Sequence, residues 1–102
     1  MNYVQGKVVV ITGAGSGFGK LTSEKLASMG GKIILADINE ETVKAATDHI
    51  KSKGGIAEYI VTDISAKEQV DRMTQFALTT FGRIDVLINN AGIMPTALFA
   101  SK

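Results

Sequence analysis

The chain of 102 residues carries a formal net charge of +1, with 45% hydrophobic residues, 21% charged residues and no cysteine. This composition is typical of one globular domain, and it excludes a disulfide framework, thiol chemistry, a disordered chain and a polyanion-binding surface. No segment approaches the ~18 consecutive apolar residues of a membrane span and the N-terminus shows no signal peptide, so we expect a cytoplasmic protein.

The first elements alternate between an apolar run and a segment of helical spacing. The run Lys7–Thr12 is continuously apolar, which is typical of a strand buried on both faces of a parallel sheet. A helix is predicted over Phe18–Met29, where residues of the same face recur every three or four positions and Gly30-Gly31 follow as a stop signal. The second apolar run predicts a strand at Lys32–Asp37.

The middle of the chain repeats this alternation. Asn39 is predicted to cap a second helix, which Gly54-Gly55 ends. The weaker apolar run Ala57–Thr62 predicts a third strand. Ser65 and Glu68 match a capping box, with a hydroxyl at the N-cap and a carboxylate three residues later, so a third helix should begin there.

The last elements complete a βαβαβαβ order. Gly82 is predicted to stop the third helix, and Asp85–Asn89 is predicted as a fourth strand. Because parallel strands are joined by right-handed crossovers, this order predicts an α/β fold with a doubly wound parallel sheet. We expect four strands in the spatial order 3-2-1-4 and three helices.

Four glycines lie between the first strand and the first helix, in the stretch VVITGAGSGFGK. Gly13 would permit a tight turn off the strand, Gly17 would let backbone approach a pyrophosphate, and Gly19 would let the helix pack close to the sheet. Free N–H groups and the positive end of the helix dipole favour phosphates. The alternative is a purely structural turn. A P-loop is excluded, because Lys20 is not followed by a hydroxyl residue.

Asp37 ends the second strand 18 positions after Gly19, where an acid is expected to face the adenosine ribose. Its carboxylate would accept hydrogen bonds from both ribose hydroxyls and repel a 2′-phosphate. Neither Ser16 nor Ile38 offers the basic partner that such a phosphate needs. The sequence therefore predicts NAD rather than NADP. The alternative is that Asp37 only caps the next turn.

Three features together resemble the short-chain dehydrogenase/reductase family. Thr12–Gly19 resembles its TGxxxGxG cofactor motif, Asn89–Gly92 resembles its NNAG motif, and Asp63 resembles the acid that contacts the adenine amino group. The similarity covers essentially the whole chain and implies a Rossmann-like fold that binds NAD. Taken with the glycine motif and Asp37, the resemblance implies cofactor-binding residues at Gly13, Gly15, Ser16, Gly17, Phe18, Gly19, Asp37, Ile38, Asp63, Ile64, Asn90, Ala91 and Gly92.

Two parts of this implied site have structural alternatives. The amides of Asn89 and Asn90 would tie neighbouring strands together, a role that the resemblance also implies. Asp63 would cap the next helix near Ser65, which we weigh equally with adenine contact.

The catalytic residues of the family, a Ser and a Tyr and Lys spaced YxxxK, follow NNAG and have no counterpart in the ten residues after Gly92. Tyr3 and Lys7 have this spacing but precede the first strand, whereas ligands bind at the carboxyl ends of the strands. His49 is expected on a solvated helix face, and Ser16 has no histidine–acid partner. We therefore predict no catalytic and no metal-binding residue in this chain.

These observations predict that residues 1–102 are the NAD-binding half of a Rossmann-fold domain, with the catalytic segment absent. The complete protein would be a homo-oligomeric alcohol dehydrogenase or carbonyl reductase, and this chain alone would be inactive. One alternative is a non-enzymatic dinucleotide-binding module or subunit that pairs through the open sheet edge. Another is a fragment without function. Neither a nucleic acid nor a membrane is an expected partner.

Overall fold

The computed structural model of the chain describes residues 2–91. Strands and helices alternate along this range, as the sequence predicts. The elements are β1 (Val8–Thr12), α1 (Gly17–Ser28), β2 (Lys32–Asp37), α2 (Glu40–Ser52), β3 (Ile56–Val61), α3 (Lys67–Phe81) and β4 (Val86–Asn89).

The four strands form one parallel sheet in the order β3-β2-β1-β4, which confirms the predicted doubly wound arrangement. The register brings Thr12 of β1 beside Ala36 of β2 and Asn89 of β4. Asp37 pairs with Val61 of β3 at the same level. The carboxyl ends of all four strands therefore meet at one edge of the sheet.

Side chains of β1 and β2 pack alternately into two helix layers, which explains why these strands are continuously apolar. On one face, Val9 and Ile11 pack in a cluster whose helix residues are Ala27, Val43, Ala46 and Ile50. On the other face, Val10 and Ile34 pack in a cluster whose helix residues are Val70, Met73 and Ala77. Helices α1 and α2 thus cover one face of the sheet and α3 covers the other.

Two of the predicted helix ends are confirmed at residue level. The Asn39 side chain caps α2 by accepting a hydrogen bond from the Thr42 N–H at 3.1 Å. Gly82 follows α3 with a φ of 85°, in the left-handed region that glycine adopts without steric cost.

The predicted capping box at the start of α3 is wrong. Ala66 is the N-cap of α3 and supplies no side-chain cap. The Ser65 hydroxyl instead donates backwards to Asp63 Oδ1 at 2.7 Å, and the Ser65 N–H donates to the same oxygen at 3.0 Å. The N-cap thus lies one residue later than Ser65, and the Ser65 hydroxyl bonds to Asp63 instead of the first turn of α3.

The start of β4 is fixed to the start of β1 by Asp85. Its N–H donates to the Val8 carbonyl at 2.9 Å, and its Oδ2 accepts from the Val8 N–H at 2.8 Å. The Arg83 Nε also donates to Oδ2 at 2.9 Å. The Val8 N–H foremost, and then Arg83, hold the pKa of Asp85 below its ordinary value.

Within residues 2–91, no helix combines the length and apolarity that crossing a membrane requires.

Candidate functional site

The glycine-rich segment, Gly13–Gly19, forms the predicted junction between β1 and α1 and is called the glycine corner below. Gly13 and Gly17 have φ angles of 64° and 57°, so both occupy the left-handed region where other residues are strained. The Ala14 N–H donates to the Ala36 carbonyl at 3.1 Å, which holds the corner against the end of β2. The glycines at these two positions are thus required by backbone conformation.

Gly19 is required by close packing. A Cβ at Gly19 would collide with the Gly13 carbonyl, because α1 lies directly against the end of β1. The Ser23 hydroxyl is also buried and donates to the Gly19 carbonyl at 2.7 Å, within α1. The structure therefore shows the predicted close approach of α1 to the sheet at Gly19.

The first turn of α1 presents its backbone to solvent. Within the described residues, no hydrogen bond involves the N–H groups of Gly17, Phe18 or Gly19. The Ser16 side chain makes no capping bond, the first turn holds no acidic residue, and a Cβ on Gly17 would meet nothing within 4 Å. Unpaired N–H groups at the positive end of a helix dipole are suited to a bound phosphate, so the corner fits the pyrophosphate of a dinucleotide.

The Asp37 carboxylate lies against the glycine corner. Its Oδ2 accepts from the Gly15 N–H at 2.9 Å, and its Oδ1 accepts from the Asn39 N–H at 3.2 Å. The acid therefore contacts the corner and also caps the turn into α2. Of the two interpretations of Asp37 that the sequence left open, the cap of the turn is present in the structure, and contact with the adenosine ribose stays a prediction.

A cleft of about 160 Å³ opens beside Asp37 at the carboxyl ends of the strands, and we call it the carboxylate cleft. The hydroxyl of Ser65, followed by its N–H, holds the pKa of Asp63 below the ordinary value, so Asp63 adds a second negative charge at neutral pH. Ile38 is 66% exposed beside these acids. The cleft is lined by Gly13, Asp37, Ile38, Thr62, Asp63, Ile64 and Ala91.

The NNAG segment is joined to β1 through the Thr12 hydroxyl. This hydroxyl donates to Asn89 Oδ1 at 2.7 Å and accepts from the Asn90 N–H at 2.9 Å. The side chain of Asn89 thus ties two strands together as the structural alternative predicted, whereas Asn90 does so through its backbone. Ala91 lines the carboxylate cleft, and Gly92 lies outside the described residues.

Sequence reasoning missed the roles of Thr12 and Thr42 at this site. Thr12 is fully buried, and a buried hydroxyl requires hydrogen-bond partners, so its position at the end of an apolar strand was the available signal. The Thr42 hydroxyl lies 2.5 Å from the place where a Cβ on Gly15 would be. No local sequence signal marks that contact, because it joins α2 to the glycine corner.

A larger groove of about 750 Å³ lies between α1 and α2 and contains none of the predicted cofactor-binding residues. Its lining includes His49, whose Nε2 lies 3.9 Å from Glu24 Oε2, with half of the His49 side chain exposed. Among residues 2–91, no group of three or more potential ligands is placed to hold a metal ion. The chemically distinctive site is therefore the smaller cleft and the glycine corner.

A family model described as short chain dehydrogenase matches residues 7–102. The chain therefore belongs to the short chain dehydrogenase family of oxidoreductases. It is 42% identical over 87 residues to a Staphylococcus epidermidis protein named diacetyl reductase, (S)-acetoin forming, with 85% of this chain and 34% of that protein covered. The chain thus spans about a third of the length of the curated relatives that it matches.

Several solved structures that are similar to this chain are complexes with a nicotinamide dinucleotide. A short chain dehydrogenase/reductase from Burkholderia phymatum in complex with NAD is 41% identical, with a TM-score of 0.82 over 85% of this chain and 31% of that chain. A metagenomic short-chain oxidoreductase in complex with NADP is 36% identical, with a TM-score of 0.82 over 88% of this chain and 41% of that chain. Both of these neighbours thus contain a nicotinamide dinucleotide.

Proposed function

We propose that this chain is the NAD(H)-binding half of a short-chain dehydrogenase/reductase that transfers hydride between NAD and an alcohol or carbonyl substrate. The observation that carries the proposal is the Asp37 carboxylate, 2.9 Å from the Gly15 nitrogen and exposed to the carboxylate cleft. A dinucleotide whose pyrophosphate lies at the first turn of α1 would bring its adenosine ribose toward this acid.

Each predicted residue has a role in this proposal. The N–H groups at the glycine corner would hold the pyrophosphate, and Asp37 would accept hydrogen bonds from the adenosine ribose. The remaining residues would border the adenine or the central riboses. The full set is Gly13, Gly15, Ser16, Gly17, Phe18, Gly19, Asp37, Ile38, Asp63, Ile64, Asn90, Ala91 and Gly92.

The charge of the cleft favours NAD over NADP. Both ionisable residues of its lining, Asp37 and Asp63, are acids, and the described lining contains no lysine or arginine. A 2′-phosphate placed there would meet negative charge without a cation to neutralise it, and like charges in one site repel. NAD carries a hydroxyl at this position, which a carboxylate binds as an acceptor.

Bound dinucleotide would supply the hydride chemistry, while protein groups orient the substrate and manage its proton. Residues 1–102 contain no Ser–YxxxK set downstream of NNAG, so we propose that turnover needs segments outside this chain. The name of the S. epidermidis relative supports a ketone or its alcohol as the substrate. We further propose that the complete protein is a homo-oligomer in the cytoplasm and that it binds neither nucleic acid nor membrane.

Titration calorimetry with NAD and with NADP tests the proposed binding. We expect the chain to bind NAD and Asp37→Asn to weaken NAD binding about tenfold, because hydrogen bonds to a charged acceptor are lost. Asp48→Asn is the matched control, since Asp48 pairs with Lys44 on the exposed face of α2. Absence of NAD binding to the wild-type chain would overturn the proposal.

A steady-state assay tests the proposed lack of turnover. We expect no oxidation of NADH in the presence of diacetyl by the 102-residue chain, under conditions where calorimetry detects NADH binding. Turnover by this chain would contradict the assignment of catalysis to other segments.

The exposed fourth strand favours a second candidate, a binding subunit that pairs through its sheet edge. β4 is an outer strand of the described sheet, and Val86 is 43% exposed there. Open strand edges pair readily with other strands. Sedimentation velocity would reveal a defined dimer that Val86→Lys dissociates if this candidate is correct, and a monomer at all concentrations would exclude it.

A further inference from the structure

The loop between β3 and α3 is anchored to two different elements. The Thr62 N–H donates to the Asp37 carbonyl at 2.9 Å, which ties the first residue of the loop to β2. The Asp63 N–H donates to Gln69 Oε1 at 2.8 Å, which ties the second residue to α3. The Asp63 carbonyl accepts from the Ala66 N–H at 3.1 Å. Both backbone groups of Asp63 are therefore bonded, and a side chain supplies one of these two bonds.

That side chain lies in the first turn of α3. Gln69 is the third residue of the helix after the N-cap residue Ala66, and a Gln or Glu at this position commonly bonds back to the N–H of the N-cap. Here the Ala66 N–H already donates to the Asp63 carbonyl, and the Gln69 side chain extends further back, to the Asp63 N–H. Because a backbone N–H can only donate, the oxygen of the Gln69 amide must face it. Gln69 thus stabilises the loop rather than the helix end.

The loop retains one acceptor and one donor beside the carboxylate cleft. Asp63 Oδ1 accepts from the N–H and the hydroxyl of Ser65, at 3.0 and 2.7 Å, whereas no group among residues 2–91 bonds to Oδ2. The Ile64 N–H has no partner in that range either. Asp63 and Ile64 both line the cleft. An acceptor followed by a donor is complementary to the Watson–Crick edge of adenine, which has a donor at N6 and an acceptor at N1.

We propose that Gln69 is a positioning residue that acts through Asp63 and thereby sets the preference of the site for adenine over other purine bases. The Gln69 oxygen fixes the peptide group before Asp63, and the Ala66 N–H fixes the peptide group after it. Together these two bonds set the directions of the Asp63 carboxylate and of the Ile64 N–H. The inference rests on the proposed NAD-binding function. It adds that recognition of the base depends on a side chain of α3 that need not contact the base.

The test compares the dissociation constants for NAD and for nicotinamide hypoxanthine dinucleotide, measured by titration calorimetry on the full chain of 102 residues. Hypoxanthine has an oxygen in place of the N6 amino group and a proton on N1, so it would oppose both Asp63 Oδ2 and the Ile64 N–H. We expect the wild-type chain to prefer NAD. Gln69→Ala should reduce this preference about fivefold to tenfold, because both groups lose their fixed direction.

A second background tests whether Gln69 acts through Asp63. In Asp63→Ala, the preference for NAD should already be small, and adding Gln69→Ala should change it less than about twofold, because residues that act through one another are not additive. An equal fold-change in the two backgrounds would show that Gln69 acts by another route and would overturn the inference.

Two further variants separate positioning from a general loss of structure. Gln69→Glu keeps an oxygen acceptor for the Asp63 N–H, so it should retain the preference for NAD within about twofold. Gln75→Ala makes the same change as Gln69→Ala at an exposed position of α3 and should leave the preference unchanged. If Gln69→Ala left the preference unchanged, or if Gln75→Ala reduced it equally, the inference would be wrong.

A measurement on Gln69→Glu covers the case in which Gln69→Ala does not fold. The amide proton resonance of Asp63 should move downfield in Gln69→Glu, since a charged oxygen is a stronger acceptor, while the Thr62 amide, bonded to the Asp37 carbonyl, stays in place. An unmoved Asp63 resonance would refute the contact. A wild-type chain that does not bind NAD would refute the proposed function, whereas equal affinity of the wild-type chain for the two dinucleotides would refute only the inference at Gln69.

Discussion

Two carboxylates at opposite ends of the sheet have different roles. Asp85, beside the amino end of β1, accepts from the Val8 N–H and also pairs with Arg83. Asp37, at the carboxyl end of β2, accepts from the Gly15 and Asn39 N–H groups, and none of the ion pairs among residues 2–91 involves it. Asp85 therefore joins the start of β4 to the start of β1, with the Val8 N–H as its main partner. Asp37 has no ion-pair partner among the described residues and lines the carboxylate cleft, where we propose that it binds a ribose.

The largest effect on stability is expected at Gly19, near the carboxyl ends of the strands. Gly19→Ala should lower the free energy of unfolding by about 3 kcal/mol, because the new methyl group meets the Gly13 carbonyl. Gly17→Ala should cost about 1 kcal/mol, since only its φ of 57° is strained and its surroundings are open. Urea denaturation of both variants measures this, and equal losses would show that α1 does not lie directly against β1.

The next effect concerns the buried hydroxyl of Thr12. Thr12→Val should cost about 1–3 kcal/mol in urea denaturation, because Asn89 Oδ1 loses a donor and the Asn90 N–H loses its acceptor. Thr12→Ser keeps the hydroxyl and serves as the control, with a smaller loss from the missing methyl group. A Thr12→Val variant as stable as Thr12→Ser would contradict the hydrogen bonds that join β1 to NNAG.

At the amino end, Asp85 should make stability depend on acid pH. Its pKa is lowered in the folded state, so its stabilising contribution is complete above the unfolded pKa, near 4, and is lost as the pH falls through the folded pKa. The melting temperature should therefore fall below about pH 4, and Asp85→Asn should flatten this part of the curve. Some dependence should persist in that variant, since the pKa of Asp63 is also lowered. If the melting temperature of Asp85→Asn depended on pH as that of the wild type does, Asp85 would be excluded as a source of the acid sensitivity.

The smallest effect is expected at Arg83, whose side chain is 58% exposed. The Val8 N–H lowers the pKa of Asp85 more than Arg83 does. Arg83→Gln should therefore reduce the melting temperature at pH 7 less than Asp85→Asn does, and high salt should reduce the difference from the wild type. If Arg83→Gln lowered the melting temperature more than Asp85→Asn does, Arg83 would be a more important partner of Asp85 than the Val8 N–H.

Local patterns in the sequence were sufficient for the architecture. Continuous apolar runs such as Lys32–Asp37 predicted strands buried on both faces, and the cap at Asn39 followed from residues close in the chain. The capping box at Ser65 failed because α3 begins one residue later, with Ala66 as its N-cap, and the Ser65 hydroxyl bonds to Asp63. Local spacing thus predicted that a helix begins here but not which residue is its N-cap.

The contacts that organise the candidate site could not be predicted in the same way. Thr12 and Asn89 are 77 positions apart, and Gly15 meets Thr42 only after β2 has placed α2 beside the glycine corner. The glycine pattern predicted where a phosphate would bind, but not that Gly15 is confined by its neighbours. Such contacts depend on packing between elements, which no spacing rule encodes.

The hydroxyl of Thr12 also determines the orientation of an amide group. A hydroxyl has one proton, and this one points at Asn89, so the carbonyl end of the amide must face β1. The Ala91 N–H, 3.4 Å from the same oxygen, requires the same orientation. The Nδ2 group therefore occupies the other branch of the Asn89 amide, away from the Thr12 hydroxyl. The proton of one buried hydroxyl thus decides which end of an amide on the outer strand β4 faces β1.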